Sequence, residues 1–257
     1  MKEVYLMNDG SEVGRNVEFI LRDDIDDLRD CTLVTGFYGI GKCGFITINH
    51  MVQVLGAKRI GFILSDYLPP FLSVKDERLI LPFEIYKYEN IIFVSAFFEP
   101  YKNEHRLFAH GLIRWAISRE LARVVVIGGL DSRLRTNEDV FAKCVYSAAY
   151  NDLFPNPQIP MMDEGLFITG PMALVLMYAE INNFPALGIL PYAERSRPDP
   201  IGASHAVEIL NDLLGTECGV QDLVREAENI ENELQSIEGV LQEEAEDQDD
   251  RDKGMFM

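Results

Sequence analysis

The residues best placed to do chemistry lie in TGFYGIGKCG, Thr35 to Gly44. From Gly36 the stretch reads G-x-x-x-x-G-K-C, a phosphate-binding P-loop without its hydroxyl. From Gly39 it reads G-x-G-x-x-G, the dinucleotide fingerprint. In a P-loop, Lys42 would reach the β- and γ-phosphates and the next residue would ligate magnesium through a hydroxyl. Cys43 holds that place, and a thiol is a poor ligand for a hard cation that prefers oxygen. Nor does a later apolar strand end in a clear metal-binding Asp, because VVVIGG runs into glycines with Asp131 beyond them. As a dinucleotide site the stretch does better. A strand precedes Gly39, Gly41 and Gly44, a helix follows, and Asp66 stands about 20 residues on, where a ribose would be met. The plainer reading is that Gly36, Gly39, Gly41 and Gly44 shape a tight strand-to-helix turn. Such a turn needs φ > 0 at one glycine and close helix–sheet packing at another. We take the turn as the primary reading and a nucleotide- or nucleoside-binding enzyme as the alternative.

Other catalytic constellations are thin. His50, His105, His110 and His205 show no metal-ligand spacing such as H-E-x-x-H, and there is no G-x-S-x-G elbow. No cysteine has an obvious local partner for nucleophilic chemistry. No catalytic residue, metal site or cofactor is therefore expected.

The elements that would position the loop are legible as runs. CTLVTGF, RIGFILS, NIIFVSAFF, RVVVIGG and ALGILPYA are nearly continuous in apolar residues, as strands covered on both faces are. Helical patterns lie between or after them: GKCGFITINHMVQVLGA, NEHRLFAHGLIRWAISREL, GPMALVLMYAEINN and PIGASHAVEILNDLLG. Strand, helix and strand in succession predict parallel β-α-β units. NVEFIL and LILPFEIYKY could add edge or antiparallel strands. The expected architecture is one α/β core domain over residues 1–216, its mostly parallel sheet sandwiched by helices.

Charge separates this core from the rest. Of the net −19, residues 217–257 carry 14 acids and 3 bases, net −11, leaving −8 for residues 1–216. An acidic surface has no counterion release to offer a nucleic acid and repels anionic membranes, so neither partner is expected. Cys31, Cys43, Cys144 and Cys218 are scattered without a C-x-x-C pair, which suggests free thiols in a reducing compartment. No basic start with a long apolar run marks a secretion signal, and the apolar stretches fall short of a membrane span. A cytoplasmic protein is expected.

Beyond the core the pattern changes. Val220, Leu223, Ala227, Ile230, Leu234, Ile237 and Leu241 follow a 3-4-3-4-3-4 spacing among Glu, Gln, Asn and Asp, a heptad stripe over residues 217–242. The narrow stripe and heavy charge favour a projecting coiled-coil helix paired with another copy over one packed on its own domain. Residues 243–257 form an acidic tail without an apolar stripe, which then ends abruptly in Met255, Phe256 and Met257. An apolar tip on a charged leash suits a docking peptide.

The order of motifs resembles the proteasome assembly chaperones typified by the second chaperone subunit, and most of all their archaeal homologues. The resemblance is carried by LVTGFYGIGKCG, VQVLGAKRIGFILSDYLPP, LIRWAISRE before RVVVIGGL, GLFITGPMALVLMYAEINNFPALGILPYA and PDPIGASHAVEILNDLLG, in that order from about residue 30 to 216. It implies a fold like that of nucleoside phosphorylases, no catalytic centre, homo-oligomers, and docking of C-termini on the proteasome α-ring. The docking element in such relatives is a hydrophobic residue, a tyrosine and any final residue. Met255 takes the first place, Phe256 the tyrosine's and Met257 the last. Phe256 lacks the phenolic hydroxyl, and one hydrogen bond to the pocket, worth about 1 kcal/mol, is lost with it.

Overall fold

The runs Phe83–Tyr88 and Ile91–Ala96 are separated by Glu89 and Asn90 alone. So short a connection forces an antiparallel hairpin, with Tyr88 opposite Ile91 and Phe83 opposite Ala96. Glu89 takes the positive φ of 48° that the first turn residue of such a hairpin needs. This local constraint shapes half of the sheet in the computed structural model, which describes residues 3–8, 16–22, 27–65, 72–75, 77–97, 100, 102 and 104–225.

In chain order, β1 (Glu3–Asn8) and β2 (Asn16–Leu21) form an antiparallel pair. Next come β3 (Thr32–Gly36), the glycine loop, α1 (Cys43–Val54) and β4 (Lys58–Ser65). A small separate ribbon of β5 (Ser73–Lys75) and β6 (Arg78–Ile80) leads into β7 (Phe83–Tyr88) and β8 (Ile91–Ala96). After these follow α2 (His105–Ser118), β9 (Arg123–Ile127), the short β10 (Leu130–Asp131), β11 (Ala142–Tyr146) and α3 (Ala148–Leu153). The described chain ends with α4 (Gly170–Ile181), β12 (Ala186–Ala193), α5 (Pro200–Leu214) and α6 (Gln221–Arg225).

Among the described residues the main sheet has ten strands, in the order β1-β2-β4-β7-β8-β3-β9-β12-β10, with β11 also on β12. The expectation of a mostly parallel sheet is corrected. Parallel pairing is confined to β8-β3-β9-β12-β10, while β1-β2-β4-β7-β8 and the β11–β12 pair are antiparallel. Helical crossovers such as β8-α2-β9 return the chain in the same direction, and short hairpins reverse it. NVEFIL and LILPFEIYKY do supply antiparallel strands, but β7, from the second, lies inside the sheet rather than at its edge.

Both faces of the sheet are covered, which explains the continuous apolar runs. Along β9, Val124 and Val126 join the core under α2 and α4, whereas Val125 and Ile127 face the opposite core under α1 and α5. Leu33 and Val34 of β3 divide in the same way. On the first face the fully buried Trp115 stacks on Phe19 at 5.1 Å. Helix α5 is delimited by its own sequence: Asp199 accepts from the Gly202 amide at 2.8 Å, Pro200 starts the first turn, and Gly215 ends the last at φ 70°. That cap also brings Asp199 against the glycine loop. No described helix is long and apolar enough to cross a membrane.

Candidate functional site

The loop joins β3 to α1 through backbone contacts. A Cβ on Gly36 would lie 2.5 Å from the Gly44 carbonyl oxygen, and one on Gly44 would lie 2.5 Å from the Ile127 oxygen and 2.7 Å from the Phe37 nitrogen. Gly41 has φ 63°, and a Cβ there would meet that of Ala193 at 2.7 Å and that of Asp199 at 3.0 Å. Its carbonyl accepts from the Asp199 amide at 2.8 Å. Three glycines thus have a conformational or packing reason to be glycine. Gly39 has neither, since its backbone is extended and a Cβ would meet nothing within 4 Å.

The side chains around the loop depart from a P-loop. Lys42 caps α1 with φ 49°, and its Nζ lies 5.4 Å from the centre of the Tyr38 ring, in the geometry of a cation–π contact. Cys43 is fully buried with Sγ 3.8 Å from the Asp199 oxygen. Burial first, then the charge of Asp199, hold its thiol well above the ordinary range, so it stays protonated at neutral pH. A protonated, buried thiol is not a magnesium ligand. Asp66, the residue expected to meet a ribose, lies outside the described residues.

Beside the loop is a cleft of about 710 Å³, where Phe37 to Ile40 face Gly128 to Leu130 and the start of α4. It sits beyond the carboxyl ends of β3 and β9. From these strands the chain leaves in opposite directions across the sheet, from β3 through α1 to β4 on one side and from β9 to β10, beyond β12, on the other. Such a switch point is where open α/β sheets commonly hold ligands. The walls are apolar, with Leu130, Leu166, Met172 and Leu190 among them. The polar group at the rim is Asp131, which accepts from Arg133 Nη2 at 2.6 Å and from the Arg133 amide at 3.0 Å. Arg195 is 3.9 Å away. The Arg133 side chain, then its amide, pull the Asp131 carboxyl down to about 2. In the sequence Asp131 stands only as an Asp too far beyond its strand to be a clear metal ligand; its pairing with Arg133 and Arg195 depends on the turn after β10 and the end of β12.

The remaining candidates are dispersed. His50 pairs with the Gly219 carbonyl at 2.6 Å, His110 stacks on Tyr178, and His205 packs against Phe141. Among the described residues, no three His, Cys, Asp or Glu side chains cluster to hold a metal ion. All four cysteines are buried free thiols; burial raises Cys144 and Cys218 to about 11. Of the heptad stripe, Val220 and Leu223 pack on the core under α1 and α5. Ala227, Ile230, Leu234, Ile237 and Leu241 lie outside the described residues, as do Met255, Phe256 and Met257.

The PAC2 family profile matches residues 33–238. Pyrococcus furiosus PbaA, an archaeal homolog of proteasome-assembly chaperone, superposes with a TM-score of 0.75 at 24% identity, covering 89% of this chain and 99% of PbaA. PbaB of the same organism, an archaeal proteasome activator, gives 0.66 at 18% identity over 86% of this chain and 98% of its own. An uncharacterized protein of Methanocaldococcus jannaschii is 24% identical over 207 residues, 80% of this chain and 84% of that protein. At these identities the superpositions establish a shared fold.

Proposed function

The chain belongs to the PAC2 family, and on that premise we propose that it is a non-enzymatic, self-associating chaperone that binds proteasome α-subunits, free or in the α-ring, through Met255, Phe256 and Met257. The observation that carries the non-enzymatic part is the glycine loop. Its one enzyme-like motif spends Gly36, Gly41 and Gly44 on joining β3, α1, β9 and α5, and it places a protonated thiol where a P-loop needs a hydroxyl. The relatives of this fold named above supply the partner class.

Because Val220 and Leu223 pack on the core, only residues 226–242 of the expected stripe are left to act as a spacer. If helical, these 17 residues span about 25 Å at 1.5 Å per residue. Several tips on one oligomer bind together, so individually weak contacts add through effective concentration. Self-association has a candidate surface on α4, where Met177 and Ile181 are 44% and 69% exposed although the helix is apolar on its buried side as well. A helix apolar all round is expected to be covered on all sides.

The decisive experiment compares full-length protein with a deletion of Met255–Met257 for binding to assembled and free α-subunits. Binding should vanish in the deletion while the oligomer persists; binding retained by the deletion overturns the docking mechanism. Phe256→Tyr restores the missing hydroxyl and should tighten binding roughly fivefold, equivalent to about 1 kcal/mol.

The cleft beside Gly39 favours one other reading, a nucleotide- or nucleoside-class ligand seated at the switch point, although Lys42 is not among the residues that line it. It requires thermal stabilisation by ATP, NAD or a nucleoside at millimolar concentration, removed by Lys42→Ala. A flat response across that set ends it.

A further inference from the structure

Although the chain is strongly acidic, it carries a basic cleft. Beyond the end of α1, where β4 and β7 pair, a cavity of about 920 Å³ is lined by Arg22, Lys58, Arg59, Arg78 and Lys87, with Glu89 as its one acid. One of these cations is answered from within. Arg59 bonds the fully buried Glu84 at 2.6 Å and the Leu79 carbonyl at 2.8 Å, and Glu84 also accepts from the Leu81 amide and the Tyr86 hydroxyl. Arg78 meets Tyr86, its hydroxyl at 3.3 Å and its ring at 5.7 Å, and Arg22 lies 5.9 Å from the Phe62 ring. Lys58 and Lys87 stand directly opposite each other across the antiparallel pair β4–β7. Like charges in that position repel and weaken the pairing. Among the described residues none of Arg22, Lys58, Arg78 and Lys87 has a carboxylate within ion-pair distance. A concave surface with four cations unanswered by described carboxylates, two of them in forced proximity, suits an extended polyanion.

The same chain contains such a polyanion. Residues 243–252, EEAEDQDDRD, hold seven acids and one base. The C-terminal part of the described chain passes the helix that borders the cleft: Gly219 is fastened to His50 of α1, and Gly56 and Ala57, just past the end of α1, form a wall of the cavity. From His50 to Gly56 is about 9 Å at 1.5 Å per residue. The 17 residues from 226 to 242 span about 25 Å if helical and nearly 60 Å if extended, so reach does not limit the encounter. We propose that the basic cleft lined by Arg22, Lys58, Arg59, Arg78 and Lys87 is a docking site for the acidic segment 243–252 of the same chain. The contact is electrostatic and weakens with salt as the screening length falls to about 3 Å at 1 M. It does not depend on what Met255–Met257 binds, but a docked segment would keep those residues close to the body.

The test uses the full-length chain, mixed from ordinary and nitrogen-15-labelled preparations and treated with a zero-length carbodiimide cross-linker. Lys58 and Lys87 should link to carboxylates within 243–252, in pairs of a single isotope, and the yield should fall severalfold in 1 M NaCl. Pairs of mixed isotope would assign the cleft to another copy's segment and overturn docking within one chain. A second measurement needs no cross-link. A fluorescent peptide of sequence 243–252 should bind at least tenfold more tightly to a full-length variant whose seven tail acids are changed to the corresponding amides than to the unaltered chain. Adding Lys58→Gln and Lys87→Gln to that variant should abolish the gain. Equal peptide binding by the amide variant and the unaltered chain overturns the proposal.

Discussion

Gly39 and Gly44 stand five residues apart in one motif, yet their substitution should have opposite outcomes. An alanine at 44 drives its Cβ into the Ile127 and Phe37 backbones, neither of which can rotate away. Gly44→Ala should therefore cost at least the ~1–3 kcal/mol typical of overpacking, read as a lower urea midpoint with unchanged slope. Gly39→Ala meets open space on an extended backbone and should stay within about 0.5 kcal/mol of the parent. Equal losses at both positions would mean that the loop is not held by the backbone contacts described. Asp131 gives a prediction in pH. Its folded pKa of about 2 is below the unfolded carboxylate value near 3.9, so its contribution is present above pH 4 and is lost as pH falls toward 2. Asp131→Asn should flatten the stability profile in that window and leave its slope above pH 5 unchanged.

At the scale of elements, α2 and α4 carry the load on one face of the sheet. Trp115 of α2 fills the space between the helix and Phe19 of β2, with both rings buried. Trp115→Ala should cost about 3–5 kcal/mol, measured by chemical denaturation, the range typical of emptying so large a buried site. On α4 the exposed Met177 and Ile181 lie opposite the buried Val175 and Ala179. Replacing both exposed residues with Lys should reduce the oligomer mass seen by light scattering while leaving the melting temperature of the fold nearly unchanged. An unchanged mass would exclude α4 as a self-association surface. The same helices show what a sequence can and cannot convey. Their strand partners were legible because residues buried on both faces must be apolar at every position. The direction of β7 was harder to read, since FEIYKY and IIFVSA look alike whichever way they run. The two-residue gap at Glu89–Asn90 was the available signal, and it is a matter of chain reach rather than composition.

For the whole molecule, legibility falls with sequence distance. That the glycine loop is a turn could be argued locally. That Gly44 abuts Ile127, or that Gly41 faces Ala193 and Asp199, could not, because those partners come from β9, β12 and α5. The rim group of Asp131, Arg133 and Arg195 and the basic cleft escaped for the same reason: their members meet only after distant elements pair. Net charge also concealed more than it showed, since −19 over the chain coexists with a concentrated positive surface at β4 and β7. The joint at Gly44 has a mechanical consequence. Contacts made of backbone have no rotamers with which to yield, so α1 cannot slide along β3 and β9 without unfolding its first turn. The C-terminal segment leaves the body clamped to α1 by the His50–Gly219 bond and by the burial of Leu223. A pull on Arg225 is therefore transmitted through α1 to the central strands, and is borne where α1 abuts β3 and β9.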